Sequence, residues 1–549
     1  MGEIKKIDGY FLIFIATVLF YCLVLAHIGF EFWDTGYIPS FSWRIVTGEN
    51  VYEDFLYKGP PVTLYFHSFF MKFLPEMGQF YWIRVTNYLM FGIQVFFTVT
   101  AFDNFYGLQK LNINKWAIMT IGFVISLLNF PPYPWPTTDG LFFASLALFF
   151  SSKIKENNTF YLILIALFSV LSALTKQSFY LIPIFFIVFI TIQNGIKKGL
   201  MLSLFISFFI ALFLYWITTI TTLDNFLKQT TGQTHLKDLL YAGFLNYFWI
   251  YDNKIQIYVI LFFAIVLSYY FRFKNVPFNF KKWFEIVSAI VLLFSIGLCF
   301  SFEFLIASRI AAIACVFGLL SKIDFTFESF KYYLPSLLLL GTAWCSAISL
   351  GYPFPILYTT GIILSLILIF QNQFEKITQL KFFLILLLSL LAVSHNYKPY
   401  REQNISKISS SLNEIAPKLN YIYTTKDNLK KLKELKSLRA KYGLKTIVAP
   451  NMAMTNYIFN SKSLFPADWI INTEVNRDAT TFINIAAKKE NYLFIEKSFI
   501  NGEELMPSKR ENFSIIADYI YKNFNKIQET EHFIVYNGLK TNERLPKIN

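Results

Sequence analysis

The sequence predicts an α-helical polytopic membrane protein with a small α/β domain at its C-terminal end. Three observations carry that prediction. The 549-residue chain is 55% hydrophobic and only 15% charged, where soluble domains carry about 25% charged residues. Apolar runs of bilayer-crossing length recur as far as residue 394. From residue 395 on, the composition turns polar: 24 of the 49 Lys and Arg and 16 of the 35 Asp and Glu fall in less than a third of the length.

A membrane-crossing helix needs about 20 mostly apolar residues. Spans are predicted near 10–29, 80–101, 115–130, 138–151, 159–174, 178–194, 199–219, 255–271, 284–300, 304–320, 332–350, 356–371 and 380–394, about thirteen in all. The first run has no small-residue cleavage pattern, so it reads as a retained helix rather than a signal peptide. The connecting segments orient the set. With the N-terminus in the cytoplasm, the inside segments hold Lys5 and Lys6, Lys110 and Lys115, Lys153 and Lys155, Lys197 and Lys198, Arg272 to Lys282, Lys322 and Lys331, and Lys376 and Lys381. The short outside turns "PPYPWPTTDG" and "GYPFP" hold no Lys or Arg. That is the positive-inside pattern. An odd number of spans then leaves the C-terminal domain outside, as an extracytoplasmic domain of an integral membrane protein.

In residues 395–549, "KDNLKKLKELKSLRAKYG" reads as a helix closed by Gly443. "TIVAP", "YLFIE" and "HFIVY" read as strands, with helical stretches "TTFINIAAKKE" and "FSIIADYIYKNF" between them. The alternation implies an α/β unit.

Some chemistries are set aside by pattern. The net charge of +14 is scattered between apolar runs, with no basic arm or aromatic–basic groove, which argues against nucleic acid. Cys22, Cys299, Cys315 and Cys345 all lie inside apolar runs and read as small core residues. The five histidines have no metal-ligand spacing. No cofactor or obligatory metal is expected, with a divalent ion left open.

Two long outer loops remain within residues 1–394, and loops on a rigid scaffold are where chemistry tends to sit. The first, 30–79, holds Glu31, Asp34, Arg44, Glu49, Glu53, Asp54 and Lys58. Its piece "YIPSFSWRIVTG" reads as an amphipathic helix lying along the membrane interface and capped by Gly48. The second, 220–254, holds Asp224, Lys228, His235, Lys237 and Asp238. Asp139, Lys176, Glu303 and Arg309 sit at helix mouths on the same side. Charge at membrane depth needs a partner or a function.

The stretch "WDTGYIPSFSWRIVTGENVYEDFLYKGPP" resembles the first outer loop of GT-C class polytopic glycosyltransferases, the protein O-mannosyltransferase-like and aminoarabinose-transferase-like enzymes. "PWPTTDGLFFASLALFF" and "LSALTKQSFYLIP" resemble their bacterial members. The likeness spans roughly residues 1 to 400, with two departures: Thr35 stands where many members have Glu, and Gly59 separates Lys58 from the Pro60-Pro61 pair.

The resemblance implies transfer of a sugar, with inversion, from a polyprenyl-phosphate donor to an acceptor hydroxyl on a glycan, lipid or protein. It makes Asp34 the general base, a carboxylate being ionised at neutral pH. Lys58, Arg309 and Lys176 become candidates for the donor phosphate, Arg as a fork and Lys as a point charge. Asp139 becomes a second acid. Glu303, His235, Trp33 and Tyr57 become candidate acceptor or sugar contacts. Plainer roles stand beside these: a helix cap for Asp34 and Asp139, a snorkelling side chain for Lys58, a turn marker for Lys176, a solvated loop residue for His235. A transporter or lipid-linked-sugar flippase, or a non-catalytic scaffold displaying the C-terminal domain, are the competing classes.

Overall fold

A computed structural model describes residues 8–111, 113–128, 133–154, 159–231, 243, 280–300, 303–324, 326–349, 352–370, 402–443, 445–450, 452–475, 479–501, 504–505 and 514–540. The N-terminal part is a helix bundle. Its elements are α1 (Gly9–Leu23), α2 (Tyr37–Val46), α3 (Val62–Phe73), α4 (Gln79–Tyr106), α5 (Lys115–Leu127), α6 (Pro136–Ser151), α7 (Thr159–Ala173), α8 (Leu181–Asn194), α9 (Ile196–Ile220), α10 (Leu223–Thr230), α11 (Phe280–Phe300), α12 (Phe304–Lys322), α13 (Phe327–Ala347) and α14 (Thr359–Ile369). Eleven of the thirteen predicted spans coincide with these helices. The predicted spans 255–271 and 380–394 lie outside the described residues, as does the predicted domain boundary at 394/395.

Among the described residues, six helical segments are long and apolar enough to cross a membrane: Gly9–His27, Gln79–Tyr106, Gln177–Asn194, Ile196–Ile220, Lys281–Cys299 and Phe304–Lys322. Three shorter apolar segments accompany them, Lys115–Leu127, Thr159–Ala173 and Pro355–Ile369. Several starts are fixed by side-chain caps, which satisfy amides that the helix leaves open. Asp8 accepts from the Tyr10 amide, Asn114 from Trp116 and Ala117, and Thr326 from Ser329.

Successive helices pack as antiparallel neighbours, α6 on α7, α8 on α9 and α11 on α12, so their connections gather at two ends. One end is rich in lysine: Lys110, Lys115, Lys153, Lys197, Lys198, Lys281, Lys282, Lys322 and Lys331 are all there. Cross-links such as Tyr106 Oη to the Tyr332 carbonyl (2.6 Å) and Gln193 Nε2 to the Lys331 carbonyl (2.7 Å) tie that end together. The other end carries the first loop and the segments 133–135, 174–176, 348–349 and 352–358. The Val62 amide donates to the Leu174 carbonyl (3.1 Å), and the rings of Tyr37 and Trp135 lie 5.6 Å apart.

The C-terminal part is α/β, as its alternation predicts. Helix α15 (Lys426–Tyr442) begins at Thr425, whose side chain caps Asn428, and ends at Gly443, whose φ of 80° suits glycine. Strands β1 (Thr446–Ala449), β2 (Tyr492–Glu496), β3 (Phe524–Glu529) and β4 (Phe533–Leu539) form a mixed sheet in the order β1–β2–β4–β3. β1 and β2 are parallel; the other pairings are antiparallel. Helices α16 (Thr455–Ile458), α17 (Asn472–Val475), α18 (Ala479–Ala486) and α19 (Ile515–Asn523) complete it.

This domain sits on the first loop. The Ser40 hydroxyl donates to the Ala453 carbonyl (2.6 Å), and the Leu56 amide to the Pro466 carbonyl (2.7 Å). The Phe30 amide donates to the Glu402 carboxylate (3.0 Å). The expected helix in "YIPSFSWRIVTG" is covered by this domain. Gly48 ends it with φ 95°, and residues 37–42 and Arg44 are buried beneath the C-terminal domain.

Candidate functional site

Asp34 opens a short turn, Asp34–Gly36, and is buried at 8% exposure. The turn is built by its neighbour Glu31, whose carboxylate accepts the amides of Trp33 (2.9 Å) and Thr35 (3.1 Å). Here Thr35 takes a backbone-capping part, its hydroxyl donating to the Glu31 carbonyl. Gly36 is required by proximity. A Cβ there would lie 2.8 Å from the Met454 Cβ and 3.0 Å from its backbone nitrogen, so the C-terminal domain closes directly over this turn. Trp33 is partly buried, with its ring 5.3 Å from Phe499.

Helix α2 continues from the turn and delivers Tyr37, whose hydroxyl donates to Glu474 Oε2 at 2.9 Å. Glu474 belongs to α17 of the C-terminal domain. Its other oxygen meets the Lys58 ammonium, so the extra Gly59 leaves Lys58 aimed at that carboxylate. The Lys58 carbonyl accepts Gln177 Nε2 at 2.6 Å. Next to it, Lys176 Nζ donates to Thr137 Oγ1 (3.3 Å) and the Ile348 carbonyl (3.1 Å). Surrounding protein pulls the Lys176 pKa down to about 8, and the nearby Lys58 charge pulls the same way.

Tyr57 is buried at 2% exposure, its ring 6.2 Å from Tyr37 and 5.5 Å from Phe41. Burial pushes its hydroxyl pKa up, and the charges of Glu474 and Asp139 push it further. The same two causes, burial and then Glu474, hold Tyr37 well above the usual tyrosine range. Both phenols are therefore neutral donors at any physiological pH.

Asp139 stands in the first turn of α6 and is fully buried. Both of its oxygens lie within reach of His67 Nε2, at 3.1 and 3.0 Å. His67 comes from α3 and is itself buried at 3% exposure. A buried carboxylate needs such a partner.

The structure thus brings four predicted residues, Lys58, Lys176, Tyr57 and Asp139, into one cluster with Asp34 one turn before Tyr37. Arg309 is buried in α12, its guanidinium 5.2 Å above the Phe354 ring, on the same end of the bundle. Glu303 is exposed at the turn between α11 and α12. His235 lies outside the described residues. Sequence reasoning passed over His67 and Glu474. The signal for His67 was a lone imidazole in the apolar helix "YFHSFFMKF", just after the Lys58–Pro61 stretch. Glu474 offered none beyond being an acid beside Trp469.

A separate buried network fastens the loop to the domain. Arg44 Nε donates to Glu49 (2.8 Å), Nη1 donates to the Phe465 carbonyl (3.0 Å), and Nη1 also lies 3.5 Å from Asp468. Among the described residues, no three His, Cys, Asp or Glu converge as a metal-holding group. Comparison with protein-family models and with curated proteins finds no match to this chain.

Proposed function

We propose that the chain is an integral-membrane glycosyltransferase of GT-C-like architecture, with about thirteen crossings, that moves a sugar from a polyprenyl-phosphate donor to an acceptor hydroxyl. What supports the reading is one observation: acids, ammonium groups and phenols from five separate elements converge at the end of the bundle opposite its lysine-rich end. By the positive-inside rule the lysine-rich end is cytoplasmic, so the cluster faces outward, beside the bilayer that would deliver a lipid-linked donor. In a bacterium this is the outer face of the inner membrane.

The chemistry needs no cofactor step. The acceptor oxygen attacks the anomeric carbon as its proton passes to the Asp34 carboxylate. The bond from that carbon to the phosphate oxygen breaks, and the electron pair leaves on the phosphate with inversion at carbon. Lys58, Lys176 and Arg309 neutralise the growing phosphate charge. Asp139, held by His67, orients sugar or acceptor, while Trp33 offers a ring face, Tyr57 a neutral phenol and Glu303 a contact at the mouth. The acceptor is a glycan, a lipid or a protein.

The test is glycan mass spectrometry on cells with and without the chain. Loss of a single sugar increment from one product class is the expected result. Unchanged glycans together with a changed distribution of lipid-linked sugars across the membrane would favour the flippase reading, and no change in either would favour the scaffold.

A further inference from the structure

We propose that Glu474 of the C-terminal domain is a positioning residue of this site, holding Lys58 between catalytic cycles and giving way to the donor phosphate. The inference rests on the reading above, which assigns Lys58 to that phosphate. Three observations carry it.

Glu474 is no ordinary surface acid. Its side chain is 4% exposed, while that of Lys58 is 39% exposed. The carboxylate is a fixed, desolvated group, and the cation it holds remains reachable from outside. Its two partners, Lys58 and Tyr37, both belong to the first loop, so a single carboxylate holds loop and domain at the cation itself.

The contact is also one of several that join loop and domain. Arg44 with Glu49, Asp468 and the Phe465 carbonyl, Ser40 with Ala453, and Leu56 with Pro466 all join the same two parts. Glu474 can let go while the domain stays seated.

The charge count gives the contact a direction. Lys58 pairs with Glu474 and has Lys176 as its electrostatic neighbour. A sugar phosphodiester brings one negative charge. The phosphate monoester left after transfer carries close to two, with more acceptor oxygens. The cations therefore favour the phosphate increasingly as the bond breaks. Glu474 then competes with the spent polyprenyl phosphate for Lys58, and its return helps expel that product.

The experiment measures binding of decaprenyl phosphate to the full chain in nanodiscs. Glu474→Gln removes the competing charge at constant shape and is expected to bind about fivefold more tightly, the range of a partly exposed ion pair. Glu474→Asp restores the wild-type affinity. Tyr37→Phe, which keeps the ring and removes one tether, moves affinity the same way by less. Adding Lys58→Gln to Glu474→Gln erases the gain, which a merely structural role for Glu474 would not produce. Unchanged or weaker binding by Glu474→Gln, with wild-type binding intact, overturns this proposal and leaves the glycosyltransferase reading standing. A wild-type chain that neither binds decaprenyl phosphate nor transfers sugar overturns both.

Discussion

At the lysine-rich end of the bundle, Lys281 meets Asp324 with side chains 46% and 60% exposed, and Lys322 meets Glu285 with 26% and 40% exposed. At the opposite end, Arg44 meets Glu49 with 4% and 7% exposed, and His67 meets Asp139 with 4% and 0%. Both sets join a basic side chain to an acid, in different surroundings. The first set is largely exposed, where each pair is worth little. The second set is drawn into protein, where charge is costly to place and costly to leave unpaired. The difference locates where this chain commits charge to a fixed geometry, and it is open to attack at several points.

The largest effect is expected at the His67–Asp139 pair. Asp139→Ala leaves the imidazole buried without its acid and should lower stability by about 3 kcal/mol, read as an earlier thermal unfolding midpoint in detergent. His67→Phe combined with Asp139→Leu should recover part of the loss, because two apolar groups leave nothing unpaired. An unchanged midpoint for Asp139→Ala would erase the contrast between the ends.

Next comes the Arg44 network. Arg44→Met leaves Glu49 and Asp468 without their shared cation, at a cost of about 2 kcal/mol. The measurement is limited proteolysis, and the C-terminal domain should be released at lower protease than in wild type. Gly36→Ala should act in the same direction, since its new Cβ would press on Met454.

A smaller effect is expected at Lys418. Its ammonium is buried against the Trp43 ring, 3.2 Å from the centroid, and donates to the Tyr457 carbonyl at 2.9 Å. Burial pushes its pKa down to about 7, against a weaker opposing pull from Glu76; the Trp43 ring and the Tyr457 ring, 4.4 Å away, favour the charged form and oppose the drop as well. With the folded pKa below the unfolded lysine value of about 10.4, the unfolded chain binds more protons between the two. Stability should therefore rise with pH across roughly 7 to 10.4 and lose this contribution below 7. Lys418→Met should flatten that slope in pH-dependent unfolding. Smallest of all, Lys281→Gln at the lysine-rich end should shift stability by less than about 0.5 kcal/mol.

How much of this was legible in the sequence follows from the range of each interaction. Apolar runs and caps are local, so eleven bundle helices, helix α2, the α15 helix with its Gly443 stop, and strands β1, β2 and β4 could be read directly, while the shorter α3 and α10 stayed inside predicted loops. The lysine distribution is also a one-dimensional signal. Pairing between distant elements is not. His67 and Asp139 are 72 positions apart and Tyr37 and Glu474 are 437 apart; no periodicity encodes either. Helix α2 shows where a local reading ends. Its amphipathic pattern fits a membrane surface as well as it fits the underside of a domain, and the docking of Ala453 and Met454 over it has no local signal. Lys58, Lys176, Tyr57 and Asp139 were singled out through the order of their motifs, and the structure sets them near one another. The acid that Lys58 meets was not, because it lies in the other domain.

The most direct test of the account is turnover by Asp34→Asn in nanodiscs supplied with polyprenyl-phosphate sugar and a membrane extract as acceptor source. Loss of a general base should slow transfer by on the order of 10²- to 10⁴-fold, with decaprenyl phosphate binding retained. Wild-type turnover from Asp34→Asn would contradict it.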